Sequence, residues 1–320
     1  MPPDHVTTTP LAASVLNVLA GTPLETAAAT AAIDPADLAD AVTTYHLAGR
    51  AALQEHADGH WYQVRVEFPD WDTAETTAVT SLGPRLDHLT NEGACGGWWF
   101  LRKHPCWRIR FTHAQVDGVN QVLNELTAAG QLTRWWPNLY EPETTAFGGT
   151  SGIQIVHDLF CADSHGVLNY LRQPQPALGR RELSLLLLSG LLQAAGLDWF
   201  ERGDVFARIA QMRPLDNIAD SRLDALTASV RGLLAVAPDT DNSLFGAGGV
   251  VPFAAPWHTA YTSAGRALAA AAKAGTLNRG LRAVVSHIVI FHWNRLGLPA
   301  HTQGILARAA LEAFLPRSRP

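Results

Sequence analysis

Residues 286–296, SHIVIFHWNRL, constrain the fold more than any other stretch. Ile288, Val289, Ile290, Phe291, Trp293 and Leu296 are apolar, and no Gly or Pro intervenes before Gly297 and Pro299. The run therefore reads as a helix ended by a glycine stop. It is apolar on every side, so it must be buried. At about 100° per residue, Ser286 and Trp293 share one face, His287 and Asn294 a second, and His292 and Arg295 a third. Each of those polar groups needs a partner in a dry interior. Two readings follow: a core helix with inert, hydrogen-bonded histidines, or a helix that points its polar groups into a cleft.

A chain of 320 residues can surround such a helix with one large domain or two smaller ones. Net charge is −5, which advertises neither a nucleic acid nor an anionic membrane as partner. Of the basic residues only Lys103 and Lys273 are lysines, which reads as compositional bias. Cys95, Cys106 and Cys161 are odd in number and form no CxxC pair. That argues for a reducing cytoplasm and against a disulfide framework or a zinc ribbon. The N-terminus MPPDHVTTTP lacks the pattern of a signal peptide. The longest apolar run, residues 183–192, is too short to span a bilayer.

Residues 1–56 read as an N-terminal segment of three helices, with Asp34 as an N-cap and Pro35 in the first helical position. The spacing suggests a helix-turn-helix, but the charge is wrong for DNA. Through residue 60 the only Arg or Lys is Arg50, against Asp4, Glu25, Asp34, Asp37, Asp40, Glu55 and Asp58. A DNA reader must neutralise phosphates, so a docking or packing module is the better reading.

Residues 57–320 read as a second, α+β domain. In WYQVRVEF, residues 61–68, apolar and polar positions alternate as in a half-buried strand. Asp72 to Glu75 looks like a capping box opening a helix to about residue 89. Residues 98–103 and 106–112 form a predicted hairpin turning at His104-Pro105. A helix from Val116 to Gly130 and a strand over 132–136 complete a βαββαβ order, the ferredoxin-like arrangement, packed against a helical layer. Helices are expected over 154–171, 180–195, 198–212, 217–234, 257–274, 278–296 and 300–315. The Gly- and Pro-rich stretch 238–256 reads as a mobile loop.

Standard catalytic signatures are absent: no GxGxxG, Walker loop, GxSxG or HExxH. His56 and His60 stand four apart, but Gly59 and the loop around them make a structured metal site a poor reading. No metal and no cofactor is expected. Arg108 and Arg110 stand two apart on one strand, so both project from one face. They form either a solvated face or a paired guanidinium site for a carboxylate or an amide carbonyl.

Four stretches, WWFLRKHPCWRIRF, YEPETTAFGG, HDLFCADS and SHIVIFHWNRL, occur in this order. Together they resemble the C-terminal elimination domain of lantibiotic dehydratases and its stand-alone relatives, the thiopeptide pyridine synthases. RRELSLLLLSGLLQAAGLDWFERGDVF is similar to the stand-alone group, and the resemblance covers roughly residues 10–315. It implies an enzyme acting on a leader–core precursor peptide that bears azoles and two dehydroalanines. The reaction is a formal 4+2 aza-cycloaddition that closes a macrocycle, followed by loss of water and of the leader peptide as a carboxamide. In related elimination domains a paired strand arginine and a histidine of the last helix serve glutamate removal, and those positions match Arg108, Arg110 and His292. Related domains often read HxHxNR in that helix. Ile290 replaces the first histidine here, which weakens a glutamate-elimination reading.

The chemistry such a reaction needs can be set against the residues. An amide that serves as a 2-azadiene must lose a proton from nitrogen and gain one on oxygen, so an acid/base residue helps. His292 has a suitable side chain, and Ser286 or Tyr261 can relay a proton or donate a hydrogen bond. Holding two alkenes together contributes on the order of 7–11 kcal/mol in favourable cases. The expected catalytic set is His292, Ser286, Arg108, Arg110 and Tyr261. The expected substrate-binding set is Glu143, His287, Asn294, Trp293, Asp163 and Ser164. The leader needs its own surface, for which the N-terminal helices and the Trp-rich hairpin are candidates. Two rivals stand beside the cyclase: a glutamate-eliminating enzyme acting in trans, and a non-catalytic peptide-binding partner of other biosynthetic enzymes.

Overall fold

The computed structural model describes residues 10–58, 61–215, 220–235 and 244–315. They belong to two compact units, Met1–His60 and Trp61–Pro320. The first contains α1 (Pro10–Leu19), α2 (Leu24–Ala31) and α3 (Pro35–Asp58). Its small core is Val15, Ala27, Ala28 and Leu38, and Asp34 accepts the Ala36 amide at 2.8 Å as its N-cap role requires. Leu11, Leu16, Leu19, Tyr45 and Leu47 stay exposed.

The second unit is α+β. Its one sheet among the described residues has strands β1 (Trp61–Glu67), β2 (Gly97–Lys103), β3 (Cys106–Thr112) and β4 (Arg134–Asn138). The spatial order is β2-β3-β1-β4, antiparallel throughout. Between β1 and β2 run α4 (Ala74–Thr77), a π-helical turn (Ala78–Leu82) and α5 (Gly83–Asn91), and between β3 and β4 runs α6 (Val116–Ala128). Alternation along the strands separates two faces. Val64, Val66, Trp98, Phe100, Trp107, Ile109 and Phe111 are all buried. Their face packs on α5 and α6, where Tyr62 donates to Asn120 at 2.7 Å.

The opposite face carries Gln63, Trp99 and Arg110 in one rung, and Arg65, Arg108 and Leu101 in the next. It is covered by α7 (Thr150–Leu171) and α12 (Leu281–Arg295). This explains why Gln63 and Arg110, polar by sequence, are buried. The edge strand β2 is protected by α7, because the Ser164 hydroxyl accepts the Phe100 amide at 3.1 Å. Around α7 and α12 stand α8 (Arg180–Ala194), α9 (Trp199–Met212), α10 (Asp220–Ala235), α11 (Ala255–Lys273) and α13 (Ala300–Phe314). Helix α12 is buried on most of its girth, with a half-buried stripe at Ala283, His287, Phe291 and Asn294, and Gly297 ends it at φ 72°.

Three local expectations need correction. The capping box at Asp72 does not form: Thr73 precedes the helix without a side-chain cap, and Glu75 pairs instead with Arg102 and Arg180. The charge pair outcompetes a cap because Arg102 is nearly buried and needs a carboxylate. The stretch read as a mobile loop is packed where it is described, with Phe245 and Val251 buried and Phe245 stacked on His258 at 4.3 Å. Finally, β4 lies two residues later than the sequence suggested, over Arg134–Asn138. The expected helix start at 217–219, residue 60 and the segment 236–243 lie outside the described residues. No helix among the described residues is long and apolar enough to cross a membrane.

Candidate active site

The site grows from Asp163, which α7 places in the interior with no exposure. Its Oδ1 accepts from Trp257 Nε1 at 2.8 Å and from the Tyr261 hydroxyl at 2.7 Å, and lies 2.8 Å from His292 Nδ1. Its Oδ2 accepts from Arg295 Nε at 2.5 Å. Gly166 makes part of this possible: a Cβ there would stand 2.2 Å from the Trp257 ring, so only glycine lets α11 close on α7. Burial alone would raise the Asp163 carboxyl, but the charges and hydrogen bonds of His292 and Arg295 hold it well below the usual carboxylate range. Burial, then the neighbouring Asp163, pushes the Tyr261 phenol well above its ordinary value.

His292 is committed at both ring nitrogens. With Asp163 accepting at Nδ1, the opposite nitrogen, Nε2, lies 3.0 Å from the Ser184 hydroxyl. Ser184 also accepts from Trp293 Nε1 at 2.9 Å. Asp163, His292 and Ser184 thus form a carboxylate–imidazole–hydroxyl chain, but all three are at most 1 % exposed. A peptide cannot reach His292 while that packing stands.

Arg295 connects this network to the sheet. Its guanidinium lies 4.1 Å from the centre of the Phe160 ring and 5.8 Å from that of Trp99. Arg110 lies 4.0 Å from Trp99 and 4.7 Å from Tyr140. Trp99 is therefore shared by two guanidinium groups, one from β3 and one from α12. Nη1 and Nη2 of Arg295, and Nε and Nη1 of Arg110, are buried with no hydrogen-bond partner. Burial pulls the Arg110 guanidinium down to about 10, with Tyr140 and Glu143 acting in the opposite direction.

Beside these cations sits a second proton-carrying pair. The Tyr140 hydroxyl is 2.7 Å from His157 Nε2. The His157 ring packs 4.5 Å from Trp61 and 6.1 Å from Trp99. Burial, reinforced by the Arg110 charge, lowers His157 to about 4, so it is a neutral imidazole at neutral pH. Unlike His292, the pair keeps a little exposure, 8 % at Tyr140 and 7 % at His157, and half-buried Trp61 stands at its edge.

Several expected residues fall elsewhere. The Ser286 hydroxyl donates to the Ala283 carbonyl and has no bond to the Asp163 network. His287 lies 2.9 Å from the same carbonyl, and Asn294 accepts from Gln303. Arg108 is half-exposed and stands opposite Arg65, one rung from Arg110. Glu143 is exposed in the loop before α7. Ser164 returns its hydroxyl to the Phe160 carbonyl while it caps the β2 edge. Tyr261, Trp293, Asp163 and His292 are gathered into one network. Among the described residues no group of three His, Cys, Asp or Glu could hold a metal ion.

Residues 61–314 match the family described as lantibiotic biosynthesis dehydratase C-term. The chain belongs to this family. Its fold is similar to that of three solved proteins. For the tRNA-dependent lantibiotic dehydratase MibB from Microbispora sp. 107891 the TM-score is 0.57 at 19 % identity, over 80 % of this chain and 28 % of that one. The chain thus spans little more than a quarter of MibB. For TsrL the TM-score is 0.58 at 17 % identity, over 79 % of this chain and 94 % of that one. For TbtD, a pyridine synthase from thiomuracin biosynthesis, it is 0.54 at 14 % identity, over 80 % and 97 %. No curated protein matches the sequence.

Within this dehydratase C-terminal fold, Ser184, His157, Tyr140 and Trp99 were not among the expected site residues, and Arg295 was expected only to need a buried partner. His157 opens the quoted HDLFCADS stretch, and it shares a face of α7 with Phe160 and Ser164, three and seven residues on.

Proposed function

We propose that this family member is a pyridine synthase of thiopeptide biosynthesis. Its substrate is a leader–core precursor peptide bearing azoles and dehydroalanines. It joins two dehydroalanines in a formal 4+2 aza-cycloaddition, then eliminates water and the leader peptide. The observation that carries this reading is the pair of buried, unpartnered guanidinium nitrogens of Arg110, stacked on Trp99 beside Tyr140 and His157. Unpaired buried donors are costly, and they suit an oxygen that gains negative charge during reaction.

In this reading the amide oxygen of the azadiene precursor lies against the Arg110 guanidinium, beside the slightly exposed Tyr140 and His157, while the enclosed Arg295 holds Trp99 from behind. The proton that leaves the amide nitrogen returns to that oxygen through Tyr140 and His157, so none is gained or lost overall. A neutral His157 can pass a proton both ways, which an imidazolium cannot. Half-buried Trp61, packed against Trp99 and His157, offers a flat apolar wall for an azole ring. His292, whose nitrogens are both committed, positions Asp163 and through it Arg295. Arg108, with Arg65 opposite it, lines the approach to Arg110.

The sheet is read as the ferredoxin-like unit, for which the order β2-β3-β1-β4 is the support. Residues 1–56 are assigned to peptide docking, supported by the exposed Leu11, Leu16, Leu19, Tyr45 and Leu47. The three free cysteines suit a cytoplasmic enzyme. Arginines would also suit glutamate elimination, which Ile290, in place of the first histidine of the HxHxNR pattern, disfavours. Mass spectrometry of a dehydrated, azole-bearing peptide incubated with this protein alone separates the readings. A cyclase releases a leader carboxamide and water. An eliminase removes glutamate, and a binding partner changes no mass.

A further inference from the structure

A concavity that shares no residue with the Asp163 network lies between α8, α10 and α13. Its volume is about 450 Å³, and Arg181, Arg222, His301, Leu226, Ile305 and Leu306 line it. Arg181, Arg222 and His301 are exposed at its rim, whereas Leu306 is buried and Leu226 and Ile305 are half-buried beneath them. No carboxylate lines the cavity. Among the described residues none pairs with Arg181 or Arg222, although Arg208, Arg282 and Arg308 on neighbouring helices each hold one. The cavity therefore offers positive charge above an apolar floor.

We infer that this cavity docks an acidic, amphipathic segment of the peptide substrate. Carboxylates of the segment pair with Arg181 and Arg222 in the fork geometry that guanidinium favours. Apolar side chains of the same segment cover Leu226, Ile305 and Leu306. A free phosphate would leave that floor bare. A nucleic acid needs a longer basic track than two arginines and a histidine supply. The helices involved lead to the candidate active site: Ser184 lies three residues beyond Arg181 on α8, about one turn. Gln303 on α13 follows the cavity wall at Thr302 and bonds Asn294 of α12. A peptide held here stays tethered to the chain that carries the reacting centre, which raises its effective concentration there. The inference rests on the reading that the substrate is a peptide, but not on the reaction it undergoes.

The test is fluorescence anisotropy with the full chain and a labelled synthetic peptide about four helical turns long. Leu occupies every third or fourth position, and Glu fills the rest. A second peptide carries Gln for Glu, and a single-stranded oligonucleotide serves as a further competitor. The Glu peptide should bind at least about tenfold tighter than the Gln peptide, and more weakly as salt rises. Arg181→Glu with Arg222→Glu should weaken it by about 10- to 100-fold, and Arg181→Lys with Arg222→Lys by only a few fold. Both arginines are exposed, so the fold should survive, and an unchanged melting temperature checks this. Equal affinity for both peptides, equal affinity of the parent and the charge-reversed variant, or displacement chiefly by the oligonucleotide would overturn the inference. Failure here is distinct from failure of the cyclase reading. A protein that cyclises but ignores the charge reversal loses only the docking site. One that binds through Arg181 and Arg222 but changes no mass loses only the cyclase.

Discussion

Arg110 holds its guanidinium 4.0 Å from the centre of the Trp99 ring, at 2 % exposure, with two of its nitrogens unpartnered. A desolvated cation–π contact is worth about 2 kcal/mol. Burying an ion costs several kcal/mol even after relaxation. The contact therefore does not offset the burial, and Arg110 is not explained as a stabilising residue. Arg110→Met, which keeps bulk and removes the charge, should leave the melting temperature unchanged or higher. A clear drop in a thermal melt would show that Arg110 serves the fold.

Asp163 is the opposite case, a buried carboxylate with four donors around it. Asp163→Asn leaves Arg295 buried without its counter-charge and should cost about 3–5 kcal/mol. Urea unfolding measures it, and a loss under 1 kcal/mol would mean the network is loosely held.

The same carboxylate sets an acid limit. Its folded value is depressed below the unfolded value of about 3.9, so its contribution is fully present above about pH 4 and is lost as pH falls further. Parent protein should lose stability steeply below pH 4, while Asp163→Asn should give a flatter curve there. Parallel curves would place the acid limit on other groups.

His157 acts in a different window. It titrates near 4 in the fold against about 6.5 when unfolded, so the unfolded chain binds the extra proton between those values. Stability from this group is complete above about pH 6.5 and declines as pH falls towards 4. His157→Phe should flatten that decline, and the His157 C2 proton should not shift in NMR spectra between pH 7 and 5.5. A midpoint near 6.5 would make it an ordinary exposed histidine.

Much of this arrangement was legible in the residues themselves. The alternation in CWRIRF places Arg108 and Arg110 on one face, and the apolar girth of SHIVIFHWNRL buries α12. What alternation could not say is which half of a polar face is later covered. Helices α7 and α12 come down over Arg110 and leave Arg108 half-open. Asp163 was singled out through its motif, but its four partners lie 94 to 132 residues further along the chain, where local pattern carries no signal. Ser184 sits in a leucine-rich helix and reads as filler until His292 and Trp293 are seen on its hydroxyl. Glu75 matched a capping box by spacing, and lost that role to two arginines that no local rule could anticipate.

The central claim is that the unpartnered Arg110 donors beside Trp99 stabilise charge that develops on the substrate. Single-turnover mass spectrometry on an azole-bearing peptide with two dehydroalanines tests it most directly, run for parent and Arg110→Met with peptide affinity measured alongside. The parent should release water and the leader carboxamide. Arg110→Met should do so about 10²–10³ times more slowly with affinity changed little, because the donors act on the transition state rather than on docking. Cyclisation by Arg110→Met at the parental rate would contradict the claim, and so would a loss of rate that merely follows a loss of affinity.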